Sequence, residues 1–227
     1  MNINYIQLGL INYREALEIQ EKLNALRHQD KIDDVLLLLE HNPVLTVGKH
    51  GNHANILLSQ NDLVKNGVEI VETARGGDVT YHGAGQIVGY PIMDLNNLGK
   101  FVKTFVWEIE EVFIQLLREE YNIAAQREEN KYTGVWVNDE KITAIGIAVK
   151  HGVTMHGFAF NVNTELEHYK WINPCGITDK GVTSLQKLLG ATQDFDKLND
   201  QVLKYFCKVF NMQPISVDIN SLISQKN

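Results

Sequence analysis

Cysteine is scarce in this chain of 227 residues: Cys175 and Cys207 provide neither a disulfide framework nor a metal-ligand spacing. That usage fits a reducing cytoplasm. Only four prolines are present, and no Pro/Ser-rich linker, internal repeat or low-complexity stretch divides the sequence. Residues 1–227 are therefore read as one domain, with 220–227 as a frayed tail. No apolar run approaches the roughly 20 residues that cross a bilayer, so a membrane helix is not expected. Residues 1–10 lack a cationic region followed by a small-residue cleavage site, so no secretion signal is expected either. Positive charge is also in deficit, 21 Lys and Arg against 28 Asp and Glu, for a formal net charge of −7. This argues against a nucleic-acid binder driven by backbone electrostatics, and an acidic protein partner would need a local basic patch. The Gly-x-Ser-x-Gly elbow of serine hydrolases is missing, as is a phosphate loop ending in Gly-Lys-Ser/Thr. No element carries two histidines and a carboxylate at ligand spacing, so no metal site is expected.

What remains is an ordinary globular composition, 44% hydrophobic and 22% charged, long enough for a substantial core. Ala16, Ile19, Leu23 and Leu26 recur at three or four residues and predict a helix over Tyr13–His28. Residues 34–40 read as a buried strand and Val44–Val47 as a second, after Asn42-Pro43. Ser59 with Asp62 caps a short helix stopped by Gly67, and 68–73 follows as a strand. The strongest helix is 100–121, with Phe101, Phe105, Ile109, Val112 and Leu116 as its inward stripe. Residues 133–137 and 141–149 flank a turn at Asn138-Asp139-Glu140, and a second hairpin turns at His151-Gly152 into 155–162. Thr183 and Gln186 predict a capping box, Gly190 a helix stop, and 194–211 the last long helix. The order of elements is not a regular βαβ alternation, so the fold class is α+β, a mixed β-sheet with flanking helices.

Residues 75–86 are the densest concentration of chemistry: Arg75-Gly76-Gly77-Asp78-Val79-Thr80-Tyr81-His82-Gly83-Ala84-Gly85-Gln86. Glycine lets backbone approach a ligand closely, and so many polar groups between two core strands are costly unless they find a partner. A bound ligand is one such partner; a glycine-rich surface turn is the plainer alternative. Cys175 sits in Asn173-Pro174-Cys175-Gly176, a tight bend that is a poor place for a packing residue; taken alone, an inert loop cysteine is the plainer reading and a nucleophile the alternative. As a nucleophile it needs help, because a free thiol has a pKa of about 8.5 and the thiolate attacks. Lys141, at the start of an apolar strand, is the candidate helper or an ordinary strand-edge charge. His82 and His156 are further candidates for the site, or structural histidines. Cys207 falls on the inward face of the last helix and reads as a small buried hydrophobe.

Taken in order, these motifs resemble the lipoyl(octanoyl) transferase family. The resemblance rests on Arg75-Gly76-Gly77, Thr80-Tyr81-His82, Gln86 and Tyr90, then Lys141-Ile142-Thr143-Ala144-Ile145-Gly146. It continues through His156-Gly157-Phe158-Ala159-Phe160-Asn161 and Pro174-Cys175-Gly176-Ile177, spanning roughly residues 13–189. It implies a fold like the catalytic domain of biotin and lipoate protein ligases. It also implies acyl transfer through Cys175 and Lys141, from octanoyl-acyl carrier protein to a lysine of lipoyl domains. The implied acceptors are the lipoyl domains of 2-oxoacid dehydrogenase complexes and the glycine-cleavage H protein. No cofactor is implied, since thioester exchange needs no ATP, and neither nucleic acid nor membrane is a partner. The matching positions place substrate against Arg75, Gly76, Gly77, Asp78, Val79, Thr80, Tyr81 and His82. Across the pocket they place Ala144, Ile145 and Gly146, and Gly157, Phe158 and Ala159. An ATP-dependent lipoate–protein ligase on the same fold, or a non-catalytic acyl-binding protein, are the alternatives. Pro174-Cys175-Gly176-Ile177 and Thr80-Tyr81-His82-Gly83 weigh against the first, and Cys175 together with Lys141 against the second.

Overall fold

The computed structural model describes residues 1–128, 132–173 and 180–224. The chain begins with β1 (Asn2–Ile11), α1 (Tyr13–His28), β2 (Val35–His41) and β3 (Val44–Val47), followed by a 3-10 turn at His53–Asn55. Next come α2 (Gln60–Lys65), β4 (Glu69–Glu72), β5 (Val79–His82), β6 (Gln86–Ile92) and α3 (Val102–Tyr121). Then follow β7 (Gln126–Arg127), β8 (Gly134–Val137), β9 (Glu140–Lys150) and β10 (Val153–Asn161), with a 3-10 helix at Leu166–Trp171. The last elements are β11 (Gly181–Val182), α4 (Leu185–Leu189), α5 (Phe195–Phe210), β12 (Gln213–Ser216) and α6 (Ile219–Ile223).

Among the described residues, nine strands form one mixed sheet in the order β12-β1-β2-β6-β10-β9-β8-β7, with β11 added alongside β9. The three strands β12, β1 and β2 run parallel, and the pairs from β2 through β7 are antiparallel. A second sheet, β4-β3-β5, stands apart. Helices α3 and α5 cover one face of the large sheet, where Phe105, Ile109, Phe113 and Phe206 join Phe158 and Phe160. The Phe113 ring lies 4.9 Å from that of Phe158 and 5.1 Å from that of Phe160. Helix α1 covers the other face, burying Ala16 and Leu23 against Leu37, Val88 and Ile92. No helix among the described residues is long and apolar enough to cross a membrane.

Local chemistry explains where these elements begin and end. The Asn12 side chain accepts the Arg14 N–H (2.9 Å) and starts α1, and Asp194 does the same for α5 through Lys197 (3.1 Å). Helices α3 and α5 stop where Asn122 and Asn211 turn left-handed, with φ of 54° and 53°. The β9–β10 hairpin turns through His151 and Gly152, both at positive φ, as a two-residue hairpin loop demands.

The structure departs from the sequence reading in several places. Strands β1, β7, β11 and β12 are additional. Residues 79–82 of the glycine-rich segment form a strand rather than a loop, because β3 offers them a ladder from Val44 to Val47. Phe101 precedes α3 as its N-cap with extended backbone, so it leaves the inward stripe and is 83% exposed. Helix α4 is capped by Ser184, whose hydroxyl accepts the Lys187 N–H, since the Thr183 backbone is engaged with β9. Residues 220–223 of the expected frayed tail belong to α6, which buries Leu222 against the α1 side of the sheet.

Candidate active site

A cavity of about 580 Å³ runs along β9 and β10, beneath the segment that connects β4 to β5. At about 3.3 Å per residue, the stretch of β9 from Lys141 to Ile147 that borders it is roughly 20 Å long. From β9 it is lined by Lys141, Ala144, Ile145 and Gly146, and from β10 by Gly157, Phe158 and Ala159. Arg75, Gly76, Gly77, Asp78, Val79, Thr80 and His82 close it from above. Among the described residues, Tyr81 is the one member of the expected set that does not line it. Side chains alternate along a strand, so Thr80 and His82 face the cavity while Tyr81 points to the far face. There its hydroxyl meets His168 Nδ1 at 2.7 Å and its ring packs against Tyr169 and Trp171.

Arg75 shapes the roof. Its buried guanidinium donates to the Thr46 carbonyl (2.6 Å) and hydroxyl (2.9 Å) and to the carbonyls of Asp78 (2.7 Å) and Gly76 (3.0 Å). Several of its N–H groups are thus committed to loop carbonyls and the neighbouring strand. Asp78 then ties the loop to the 3-10 turn, accepting from the Asn52 N–H (2.8 Å) and from the Asn55 side chain. The Gly76 N–H reaches down to the Ile147 carbonyl at 3.1 Å. Two glycines make this closeness possible. A Cβ on Gly146 would lie 2.8 Å from the Gly76 carbonyl oxygen, and one on Gly157 only 1.9 Å from that of Gly89 on β6. Both positions are bare because backbone already occupies the space.

The end near Ile147 is walled by Tyr13, His82, Tyr90 and His156, with His41 behind them. The Tyr90 hydroxyl and His41 Nε2 are 2.7 Å apart, while His41 Nδ1 lies 3.0 Å from the Ile11 carbonyl. His41 therefore carries its proton on Nδ1 and accepts from the phenol. Burial presses His41 down to about 4. His156 falls to about 4 and His82 to about 3, burial again leading, with the Arg75 charge acting on both and His41 acting on His82. These imidazoles are neutral at neutral pH, and Tyr13 is pushed up to about 12 by burial. His82 Nδ1 lies 2.8 Å from Gln86 Oε1, and the Gln86 amide donates to Asn161 Oδ1 and the Tyr169 hydroxyl. That chain fixes the His82 proton on Nδ1 and leaves Nε2 as an acceptor. His156 holds a strained φ of 57°, and its Nδ1 is buried with no hydrogen-bond partner among the described residues.

At the opposite end, Lys141 donates to the Thr133 carbonyl at 3.2 Å and lies over the Trp136 ring, 4.8 Å from its centre. The Lys180 ammonium sits 5.0 Å from the centre of the same ring. Cys175 lies outside the described residues. Its flanks are held: the Asn173 N–H donates to the Asn55 carbonyl (2.8 Å), and Gly181 and Val182 pair with Glu140 and Lys141. The Thr183 N–H then bonds the Lys141 carbonyl (3.0 Å), and the Asn161 side chain donates to the Thr183 carbonyl (3.0 Å). Cys207 is buried in α5, its thiol pushed up to about 11 by burial. No group of three or more metal-ligating side chains occurs among the described residues.

Sequence reasoning did not single out Tyr13, Val102 or Val106 as cavity residues. Each looks like a helix residue from its own element, and only packing against the distant β9 and β10 brings it there. Asn161 was visible as the last residue of the His156–Asn161 motif, though its role in the hydrogen-bond chain was not.

Comparison with known proteins gives a consistent picture. The family described as lipoyl protein ligase A/B catalytic domain matches residues 12–207. An octanoyltransferase of Caldicellulosiruptor saccharolyticus is 58% identical over 92% of this chain and 89% of its own. One of Desulforamulus reducens is 57% identical over 98% of this chain and 97% of its own. Among solved structures, a lipoate-protein ligase A bound with ATP superposes with a TM-score of 0.79 at 15% identity, over 99% of this chain and 94% of that one. The biotin protein ligase of Aquifex aeolicus gives a TM-score of 0.54 at 14% identity, over 93% of this chain and 70% of that one. The structural likeness establishes the fold, and the sequence identity establishes the branch: the chain belongs to the lipoyl protein ligase A/B catalytic-domain family, among its octanoyltransferases.

Proposed function

We propose that this protein moves an octanoyl group from an acyl carrier protein to a lysine ε-amine of a lipoyl domain. The transfer passes through a thioester on Cys175. The observation that carries the reading is the cavity with Lys141 at one end, whose own backbone is paired with the stretch that follows Cys175. The Cys175 thiolate attacks the carrier's thioester carbonyl, the carrier thiol leaves with a proton, and an acyl-enzyme remains. The incoming amine then attacks that carbonyl, loses a proton, and the Cys175 thiolate departs as the amide forms. Lys141 favours the thiolate in the first step and relays protons in both. Thioester exchange is close to isoenergetic and the amide drives the second step, so no nucleotide is required. The chemistry needs Cys175 as a free thiol, which suits a reducing cytoplasm.

The apolar lining from Ala144, Ile145, Phe158 and Ala159 supports an alkyl ligand. About six buried methylenes at ~0.8 kcal/mol each contribute on the order of 5 kcal/mol of gross binding. One methylene more or less changes affinity little. Chain length is therefore set by the far wall of Tyr13, Tyr90 and His156, where an extending alkyl chain meets polar groups. The acceptors that fit are the lipoyl domains of 2-oxoacid dehydrogenases and the glycine-cleavage H protein.

Intact-mass analysis after incubation with octanoyl-acyl carrier protein and no ATP tests the reading. One octanoyl mass should appear on Cys175 and move to a lipoyl domain on its addition. An unmodified protein, a label on Cys207, or strict dependence on ATP would overturn it.

A further inference from the structure

The peptide group joining Thr133 to Gly134 has both of its polar atoms engaged. Its carbonyl accepts from the Lys141 ammonium at 3.2 Å, and its N–H donates to Glu110 Oε1 at 3.0 Å. We propose that Glu110 is the positioning residue of Lys141, holding the ammonium through the single peptide group that stands between them. The proposal rests on the role of Lys141 given above and adds a second residue, from α3, to the machinery.

Three features make the arrangement more than a helix carboxylate near a strand. Glu110 is only 7% exposed, in the middle of a helix that also buries Ile109, Val112 and Phe113. Burying a carboxylate is costly without specific partners, and its partners here are the Arg127 guanidinium on one oxygen and, on the other, the backbone beside Lys141. Gly134 has a φ of 136°, which strongly favours glycine, and a Cβ there would sit 3.4 Å from Lys141 Cδ and Cε. The lysine stem is therefore laid across this glycine. Finally, a carboxylate that accepts from an amide N–H strengthens the same amide's carbonyl as an acceptor, because hydrogen bonds in a chain polarise one another. Glu110 thus fixes the direction of the ammonium and favours its charged form without touching it.

Other charges face this pair. Arg127 on β7 lies with Nε 3.2 Å from Glu110 Oε2, off the line of a hydrogen bond, and donates to Glu111 at 2.6 Å. Lys180, from the segment before β11, pairs with Glu128 and Asp139, and Glu140 beside Lys141 pairs with Lys187. Burial pushes the Glu110 carboxyl up, and the Gly134 N–H, Arg127 and Lys141 pull it back. Lys141 thus has a negative neighbour through the peptide, with Arg127 on that neighbour's other side, and the two act on it in opposite directions.

The test measures Cys175 alkylation and octanoyl transfer against pH for the wild type, Glu110→Gln and Arg127→Gln. Losing the carboxylate removes what favours the ammonium. In Glu110→Gln the limb set by Lys141 should therefore move to lower pH by roughly one pH unit. Alkylation at neutral pH should slow several-fold, while aminolysis of a preformed acyl-enzyme should not. In Arg127→Gln the same limb should move to higher pH. Glu110→Asp, which keeps the charge, should restore most of the wild-type profile. Equal losses in both steps with unmoved limbs, or shifts of one sign in both variants, would overturn the proposal. If Glu110→Gln does not fold, the direction of the Arg127→Gln shift decides alone. A wild type that forms no acyl-enzyme, or a Lys141→Ala variant with full activity, would instead remove the reading of Lys141 itself.

Discussion

At Lys141 the cavity is bordered by full charges, with Lys180, Glu110 and Arg127 close by and Glu128 and Asp139 answering Lys180. Roughly 20 Å along β9, at Tyr90 and His156, the walls are polar but their three imidazoles and two phenols are held neutral, beside the one fixed charge of Arg75. The first end meets its ligand with full charges. The second can only donate and accept hydrogen bonds in fixed directions. Under the proposed function, the difference would let one cavity separate chemistry from recognition: charge stays at the end where acyl transfer is proposed, and the ligand's tail would meet groups whose protonation does not change.

Substitutions at and between the two ends should have graded effects. Lys141→Ala should lower octanoyl transfer by about 10²–10⁴-fold while leaving the melting temperature nearly unchanged, since the side chain is at the more open end. A large fall in stability would mean that the charged end is structural. In the middle of the cavity, Gly157→Ala forces a methyl onto the Gly89 carbonyl oxygen, 1.9 Å away. It should cost about 3 kcal/mol of stability by overpacking, read from urea unfolding, and a neutral outcome would show that β6 and β10 can part freely.

The neutral end makes a pH prediction. Below the ordinary value of 6.5, an unfolded chain takes up protons that folded His41, His82 and His156 refuse. Stability present at pH 7 is therefore lost as pH falls towards the folded values of about 3 to 4. At pH 5 the loss should be about 2 kcal/mol for each histidine. Urea midpoints at the two pH values measure it, and His41→Gln should remove its share of the slope. Outside the cavity, Tyr81→Phe deletes one hydroxyl bonded to His168 and should cost about 1 kcal/mol with transfer rates unchanged. A marked rate defect there would extend the site to the far face of β5.

Much of this was readable from the sequence where the signal is local. Tyr13–His28 emerges with its observed bounds from its apolar spacing alone, and the Asn12 cap found in the structure agrees with it. The hairpin turns emerge because Asn138, His151 and Gly152 tolerate positive φ. Strand β1 has only a weak alternating signal, and its partners β2 and β12 are remote in sequence. The motif residues that line the cavity were found together, but Tyr81 shows that a motif does not reveal which way each side chain points. Glu110 illustrates the harder case. One carboxylate among several on α3, it becomes distinctive only because β8 brings the Gly134 N–H against it.

Strand β8 pairs with β9 only as far as Ala144, and beyond that the Gly76 N–H takes up the Ile147 carbonyl. The loop that roofs the cavity is therefore also the guard of a sheet edge, and an uncovered edge is a template for pairing with other chains. Under the proposed function, the loop that would hold the ligand is the same one that shields this edge. A protein kept loaded with its acyl group should resist aggregation longer than the same protein kept empty.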